Sequence, residues 1–228
     1  MSAMDILFLS LLGGVLGLDT VSFPQAMLSR PIVAATLSGA LVGDAVSGLL
    51  VGATLELFAV ETLPFGASRY PEWGSASVIG GALFAKASWG FDAGRLTTTV
   101  LAALAIAWVG GWSMVQVRKL NARWARNRHD AVARGARRTV IGLQVAGIAA
   151  DLVRGIVVTA IGLAVLAPLQ TLALQSWGTS APLARAMVVG AAGAVSLGAV
   201  YKLFHAVPGF VWQFMVGVAA GLAVVVLL

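Results

Sequence analysis

Long apolar runs separated by short polar connections dominate the chain. Residues 97–117, 139–167, 183–201 and 207–228 each reach the roughly 18 to 20 mostly apolar residues that an α-helix needs to cross a hydrocarbon core. Residues 5–22 and 31–60 also qualify once their carboxylates are tolerated, and 74–87 is a shorter apolar piece, half a span in length. The pattern predicts an all-α integral membrane protein with six to seven membrane segments. Residues 30–72 depart from a simple anchor. Their apolar positions are interrupted by Asp44, Glu56 and Glu61, and by Gly39, Gly43, Gly48, Gly52 and Gly66. A carboxylate in lipid is costly unless it faces water or a partner, and glycine at this density lets helices approach closely or break around a cavity. Broken or re-entrant helices around a substrate pocket are therefore expected in the N-terminal third. The expected organisation is one membrane domain, 1–228, with a motif-bearing half 1–117, a basic loop 118–138 and a second helical half 139–228.

Composition agrees with the pattern. Hydrophobic residues make up 59% of the 228 and charged residues 11%, against about 25% charged in a soluble domain. The net charge of +6 is concentrated: Arg118, Lys119, Arg123, Arg126, Arg128, Arg134, Arg137 and Arg138 face only Asp130 within residues 118–138. Loops rich in Lys and Arg stay cytoplasmic, and Trp108, Trp112 and Trp124 suit a headgroup layer beside it. The connections 88–96 and 168–182 then face outward and 201–207 faces inward. The basic run is read as topology and contact with lipid headgroups rather than nucleic-acid binding. Leu120, Trp124 and Val132 among the arginines suit a helix on the membrane surface. The first apolar segment lacks a basic leader and is read as retained.

Chemistry is sparse. There is no cysteine, so thiol catalysis and thiol metal ligation are excluded. The two histidines, His129 and His205, stand apart, with no metal-ligand spacing and no sign of a phosphoryl acceptor. No phosphate-binding loop, dinucleotide fingerprint or nucleophile elbow is present. The chain reads as a non-enzyme without cofactor or metal. The spacings Gly13–Gly17, Gly39–Gly43, Gly48–Gly52 and Gly217–Gly221 favour close helix packing.

One segment resembles a known family. Leu18-Asp19 and Gln25, then Arg30-Pro31, Gly43-Asp44, Thr54-Leu55-Glu56, Gly66-Ala67 and Pro71-Glu72 follow in order. The series is similar to the hallmark of the IIC membrane subunit of the mannose–fructose–sorbose family of the bacterial sugar phosphotransferase system. It covers about 55 residues, while the later layout agrees only in general. The resemblance implies sugar translocation across the bacterial cytoplasmic membrane. It also implies a second membrane subunit, IID, cytoplasmic IIA and IIB proteins that carry out the phosphorylation, and a homo-oligomer such as a trimer. The chain departs from the family at Pro64, where asparagine is usual, and at Glu72, where aspartate is. Glu61 and Arg69 add charges to that loop. Such changes alter the contacts available to sugar hydroxyls.

The candidate substrate-binding residues are Glu56, Asp19, Gln25, Asp44, Gly66 and Glu72. Glu56 either meets a sugar hydroxyl or pairs internally with Arg30 or Arg69. Asp44 either lines the pocket or caps the following half-helix. Asp19 and Gln25 flank Phe23-Pro24, as at a re-entrant turn. Glu72, after Pro71, is a gating residue or is exposed at a hairpin tip. Asp151 and Arg154, three apart on one helical face, can neutralise each other. Two alternatives to sugar translocation remain at this stage: a scaffold or sensor without transport, and an unrelated small-solute transporter.

Overall fold

Apolar length and helix-breaking residues together set the elements. The computed structural model describes residues 1–60, 69–86, 93–175, 180–204 and 207–227. Among them the chain forms α1 (Ala3–Asp19), α2 (Pro31–Leu41), α3 (Ala45–Ala59), α4 (Trp73–Ala85) and α5 (Ala93–Arg126). These are followed by α6 (His129–Ala133), α7 (Arg137–Gln175), α8 (Ala181–Phe204) and α9 (Phe210–Leu227). No strand occurs among the described residues. Gly94–Arg126, Arg137–Gln175 and Pro182–Tyr201 are long and apolar enough to cross a membrane, and α2, α3 and α4 are shorter apolar helices.

The 31–60 stretch folds as two antiparallel helices. Pro31 opens α2, where its fixed φ suits the first turn and its missing N–H is no loss. The break falls at Val42–Asp44. Gly43 takes a φ of +99°, which a side chain would resist, and Asp44 caps α3 by accepting from the Ser47 amide at 2.9 Å. A Cβ on Gly52 would stand 2.7 Å from the Pro31 carbonyl oxygen, so only glycine lets the two helices pack at this distance.

Helix α4 is the centre of the molecule. All of its residues are buried, and it packs against α1, α2, α3, α5 and α7. Its Trp73 and Phe84 pack with Val51, Leu55 and Val100 on one side, and its Ile79 and Leu83 with Leu9, Leu16 and Leu163 on another. Thirteen residues rise about 20 Å, well short of a bilayer core. Such a helix is tolerated because protein rather than lipid surrounds it. Helix α8 lies against α3 and α5, and α9 against α8.

The polarity runs inside out. Asp19, Glu72, Arg95, Thr99, Asp151, Arg154 and Thr159 are buried, while Leu7, Leu11, Val15, Trp108, Val153, Val157, Ile161 and Val165 are exposed. In water such a surface would aggregate. In a bilayer it is the lipid-facing layer, with polar groups withdrawn to find partners.

Two expected connections prove helical. Helix α5 continues through the basic residues to Arg126, and α7 begins at Arg137, so little of 118–138 is loop. Residues 118–126 belong to the same helix as the preceding apolar run rather than to a separate surface helix, because Arg, Lys and Ala are good helix formers. Pro168 stands inside α7, which runs on to Gln175. Just beyond it, Gln170 reaches back to the Thr99 hydroxyl on α5 at 2.7 Å, tying this end of α7 to its neighbour.

Candidate functional site

The motif residues take up three separate tasks. Asp19 ends α1 and is buried, and its two oxygens accept from the backbone amides of Ala26 and Ser29 at 2.7 and 2.8 Å. It thereby holds residues 20–30, which contain a cis Phe23–Pro24 bond, in a compact turn. Gln25 is exposed on this turn with φ +60°, and its amide donates to the Val21 carbonyl. Asp19→Ala is expected to cost about 2 kcal/mol, the value of hydrogen bonds to a charged group. It should also speed hydrogen exchange of the Ala26 and Ser29 amides. Unchanged exchange at both would show that the turn holds without the carboxylate.

Glu56 lies on the face of α3 beside the start of α2. It forms an ion pair with Arg30 and accepts from the Ile32 amide at 3.1 Å. Of the partners expected for it, Arg30 is the one found. Arg69 instead lies over the Trp108 ring, 4.3 Å from its centroid. The Arg30 and Glu56 side chains keep 34% and 20% of their surface exposed, so both remain within reach of a solute. Asp44 stands at the opposite end of the α2–α3 pair, about 16 Å away along an eleven-residue helix. Gly66, with Glu61, Pro64 and Ala67, lies outside the described residues.

Glu72 is not exposed. It is completely buried, and exposure at a hairpin tip is ruled out. Its side chain caps α4 by accepting from the Ser75 amide at 3.0 Å, and its own amide donates to the Ala107 carbonyl on α5 at 2.8 Å. Arg154 on α7 stands 3.6 Å from its second oxygen. The Arg154 Nε donates to Asp151 at 2.6 Å, Asp151 accepts from the Ser22 hydroxyl at 2.6 Å, and Arg154 reaches Ser113 on α5 at 3.4 Å. Two carboxyl groups thus share one guanidinium. The group joins the turn after α1, the start of α4, α5 and α7. Glycines make the room: a Cβ on Gly17 would stand 3.1 Å from the Arg154 Nη2, and one on Gly110 would stand 2.8 Å from the Glu72 Cβ.

The Asp151–Arg154 pair is the one the spacing predicts. Ser22, Ser113 and the addition of Glu72 escape a reading of the sequence. The Gly110-Gly111 pair between two tryptophans was the available signal for a close approach. Tyr70, two residues before Glu72, receives a hydrogen bond from Arg118 at 2.5 Å. Beside this assembly opens a cavity of about 410 Å³ lined by Ser22, Arg118, Asn121, Gln144 and Asp151 among apolar residues of α5 and α7. Among the described residues no group of three His, Asp or Glu side chains could hold a metal.

The family model for the sorbose-specific IIC component of the phosphotransferase system matches residues 3–177. The chain belongs to this IIC family. Over 103 residues, 45% of its length, this IIC chain is 33% identical to the fructose permease IIC component of Bacillus subtilis (strain 168). That match spans 38% of the relative's own length. Two solved structures share its fold at 18% identity. One, described only as a membrane protein, gives a TM-score of 0.75 over 97% of this chain and 87% of its own. The other, a cryoEM structure of the mannose transporter ManYZ in complex with a microcin, gives 0.63 over 100% and 94%. As a IIC chain it is a protein of the bacterial cytoplasmic membrane, and its lipid-facing exterior fits that location.

Proposed function

We propose that the chain translocates a hexose-like sugar across the cytoplasmic membrane as the IIC component of a phosphotransferase system. The observation that carries this reading is the family match over residues 3–177, spanning a helical bundle that buries Asp19, Glu72, Arg95, Asp151 and Arg154. Partner proteins perform the phosphorylation: a IID membrane subunit and cytoplasmic IIA and IIB proteins, with the IIC chain itself in a homo-oligomer. The 228 residues act as one membrane domain of six to seven segments, three of them the long helices and the others shorter or paired. The basic tip between α5 and α7 faces the cytoplasm.

The sugar meets the accessible polar surface of Gln25, Arg30 and Glu56, where a carboxylate and a guanidinium can accept from and donate to hydroxyls. Asp19 and Asp44 position this surface by holding the two turns that flank α2. Glu72 anchors the end of the 61–72 segment, which contains Gly66, to α5 and α7.

Uptake of radiolabelled fructose, sorbose and mannose by proteoliposomes holding the chain with its IID subunit tests the reading. Glu56→Gln is expected to weaken hexose binding by about 1.5 to 3 kcal/mol, the value of a hydrogen bond to a charged group, with the fold intact. Normal binding combined with reduced thermal stability would make Glu56 a structural residue only. The orientation has its own check. The chain lacks cysteine, so Ala131→Cys introduces a unique thiol. It should react with an impermeant maleimide only after the inner face is opened, and labelling from outside would reverse the topology.

A further inference from the structure

On the reading above, residues 20–30 present Gln25 and Arg30 to the sugar, yet few bonds hold them to the bundle. The two oxygens of Asp19 accept from the Ala26 and Ser29 amides, but Asp19 ends α1, so these bonds tie the turn only to the helix it leaves. Among the described residues a single hydrogen bond joins residues 20–29 to any other helix. The Ser22 hydroxyl donates to Oδ2 of Asp151 on α7 at 2.6 Å. Ser22 is exposed and Asp151 is buried. Asp151 is itself fixed, since its Oδ1 accepts from the Arg154 Nε at 2.6 Å.

The turn needs such a support. Gln25 and Met27 have φ values of +60° and +62°, in the left-handed region that a side chain resists and that persists only where the surroundings hold it. The support reaches Gln25 directly. Its side-chain amide donates to the Val21 carbonyl at 2.8 Å, and that carbonyl shares one planar peptide group with the Ser22 nitrogen. Fixing Ser22 therefore fixes the acceptor that orients Gln25, and the Gln25 side-chain oxygen is left to accept from a hydroxyl. At the far end of the turn the Arg30 amide donates to the Met27 carbonyl at 3.2 Å, so the strained Met27 sets where Arg30 starts towards Glu56.

We infer that Ser22 and Asp151 are positioning residues for sugar binding: their hydrogen bond holds the 20–30 turn against α7 in the conformation that presents Gln25 and Arg30. Neither residue touches the sugar. The inference rests on the sugar-translocation reading. Through Arg154 the same point on α7 also faces Glu72, so the turn and the 61–72 segment share one support.

The test measures uptake of fructose, sorbose and mannose by proteoliposomes holding the full-length chain with its IID subunit. Ser22→Ala is expected to raise KM about tenfold, the low end for losing a hydrogen bond to a charged group, with the maximal rate and the melting temperature close to the parent's. Ser22→Thr keeps the hydroxyl and should restore KM. Asp151→Asn should raise KM as well, and the double variant should fall well short of the product of the two effects, because the two residues act through one bond. A KM within about twofold of the parent in Ser22→Ala, with or without a lower melting temperature, would make the bond structural only and overturn the proposal. Fully multiplicative effects of the two substitutions would overturn it as well. Hydrogen exchange needs no sugar and separates this failure from that of the translocation reading. The Ala26 and Ser29 amides should exchange about tenfold faster in Ser22→Ala. Unchanged exchange beside normal hexose uptake overturns the proposal alone. Faster exchange beside a parent chain that takes up no hexose would leave a tie with no sugar to position, and would remove the translocation reading together with the proposal.

Discussion

Arg154→Met is expected to destabilise the protein by about 3 to 5 kcal/mol, the cost of breaking a buried ion pair by removing one partner. The methionine is similar in reach and apolar, so packing is largely preserved and electrostatics dominate. Without the guanidinium, Glu72 and Asp151 are left as two buried carboxyl groups. Glu72 is fully buried, and its second oxygen has no hydrogen bond even in the intact protein. Because these groups fasten α4, α5, α7 and the turn after α1 to one another, the loss should spread through the core. Thermal unfolding in detergent, followed by fluorescence-detected size exclusion, measures it. Arg154→Lys keeps the charge but not the fork that spans Asp151, Glu72 and Ser113, so an intermediate loss is expected. Combining Arg154→Met with Glu72→Gln and Asp151→Asn removes the stranded charges and should recover much of the stability. A single Arg154→Met variant within about 1 kcal/mol of the parent would show that the network is not what joins these helices.

Gly74→Val should cost about 3 kcal/mol, at the upper end for overpacking. A Cβ at Gly74 would stand 2.5 Å from the Leu16 carbonyl oxygen and 2.8 Å from the Gly17 nitrogen. Both are backbone atoms of α1, so no side-chain rotation can relieve the clash and α4 must move away from α1. The shift would also displace Glu72 and Ser75 at the start of α4. Gly142→Ala provides the control, since a Cβ there meets nothing within 4 Å and the position is helical. It should be neutral or stabilising by up to about 1 kcal/mol. Equal melting temperatures for the parent and Gly74→Val would mean that the α1–α4 contact is looser than the geometry shows.

The sequence already contained the membrane character, the seven apolar stretches and the break within 31–60. Apolar length is a one-dimensional property, and Gly43-Asp44 carries both a positive φ and a capping side chain within two residues. The Asp151–Arg154 pair was legible for a similar reason, because i and i+3 on a helix are neighbours whatever the rest of the chain does. The extents of α5 and α7 were not. Clustered arginines read as a loop by charge, yet their helix propensity lets α5 continue to Arg126, and Pro168 read as a boundary although α7 continues through it.

Only the tertiary structure decided what each motif carboxylate does. Asp44 and Asp19 accept from backbone amides within ten residues, Glu56 from Arg30 and Ile32 across a helix pair, and Glu72 faces an arginine on α7. In lipid every buried charge must find a partner, so the sequence could say that partners exist. Which partner each one finds depends on which helices pass within a few ångströms. Small residues far apart in the chain, Gly17, Gly74 and Gly110, set those approaches, and their effect appears only once the helices are packed together.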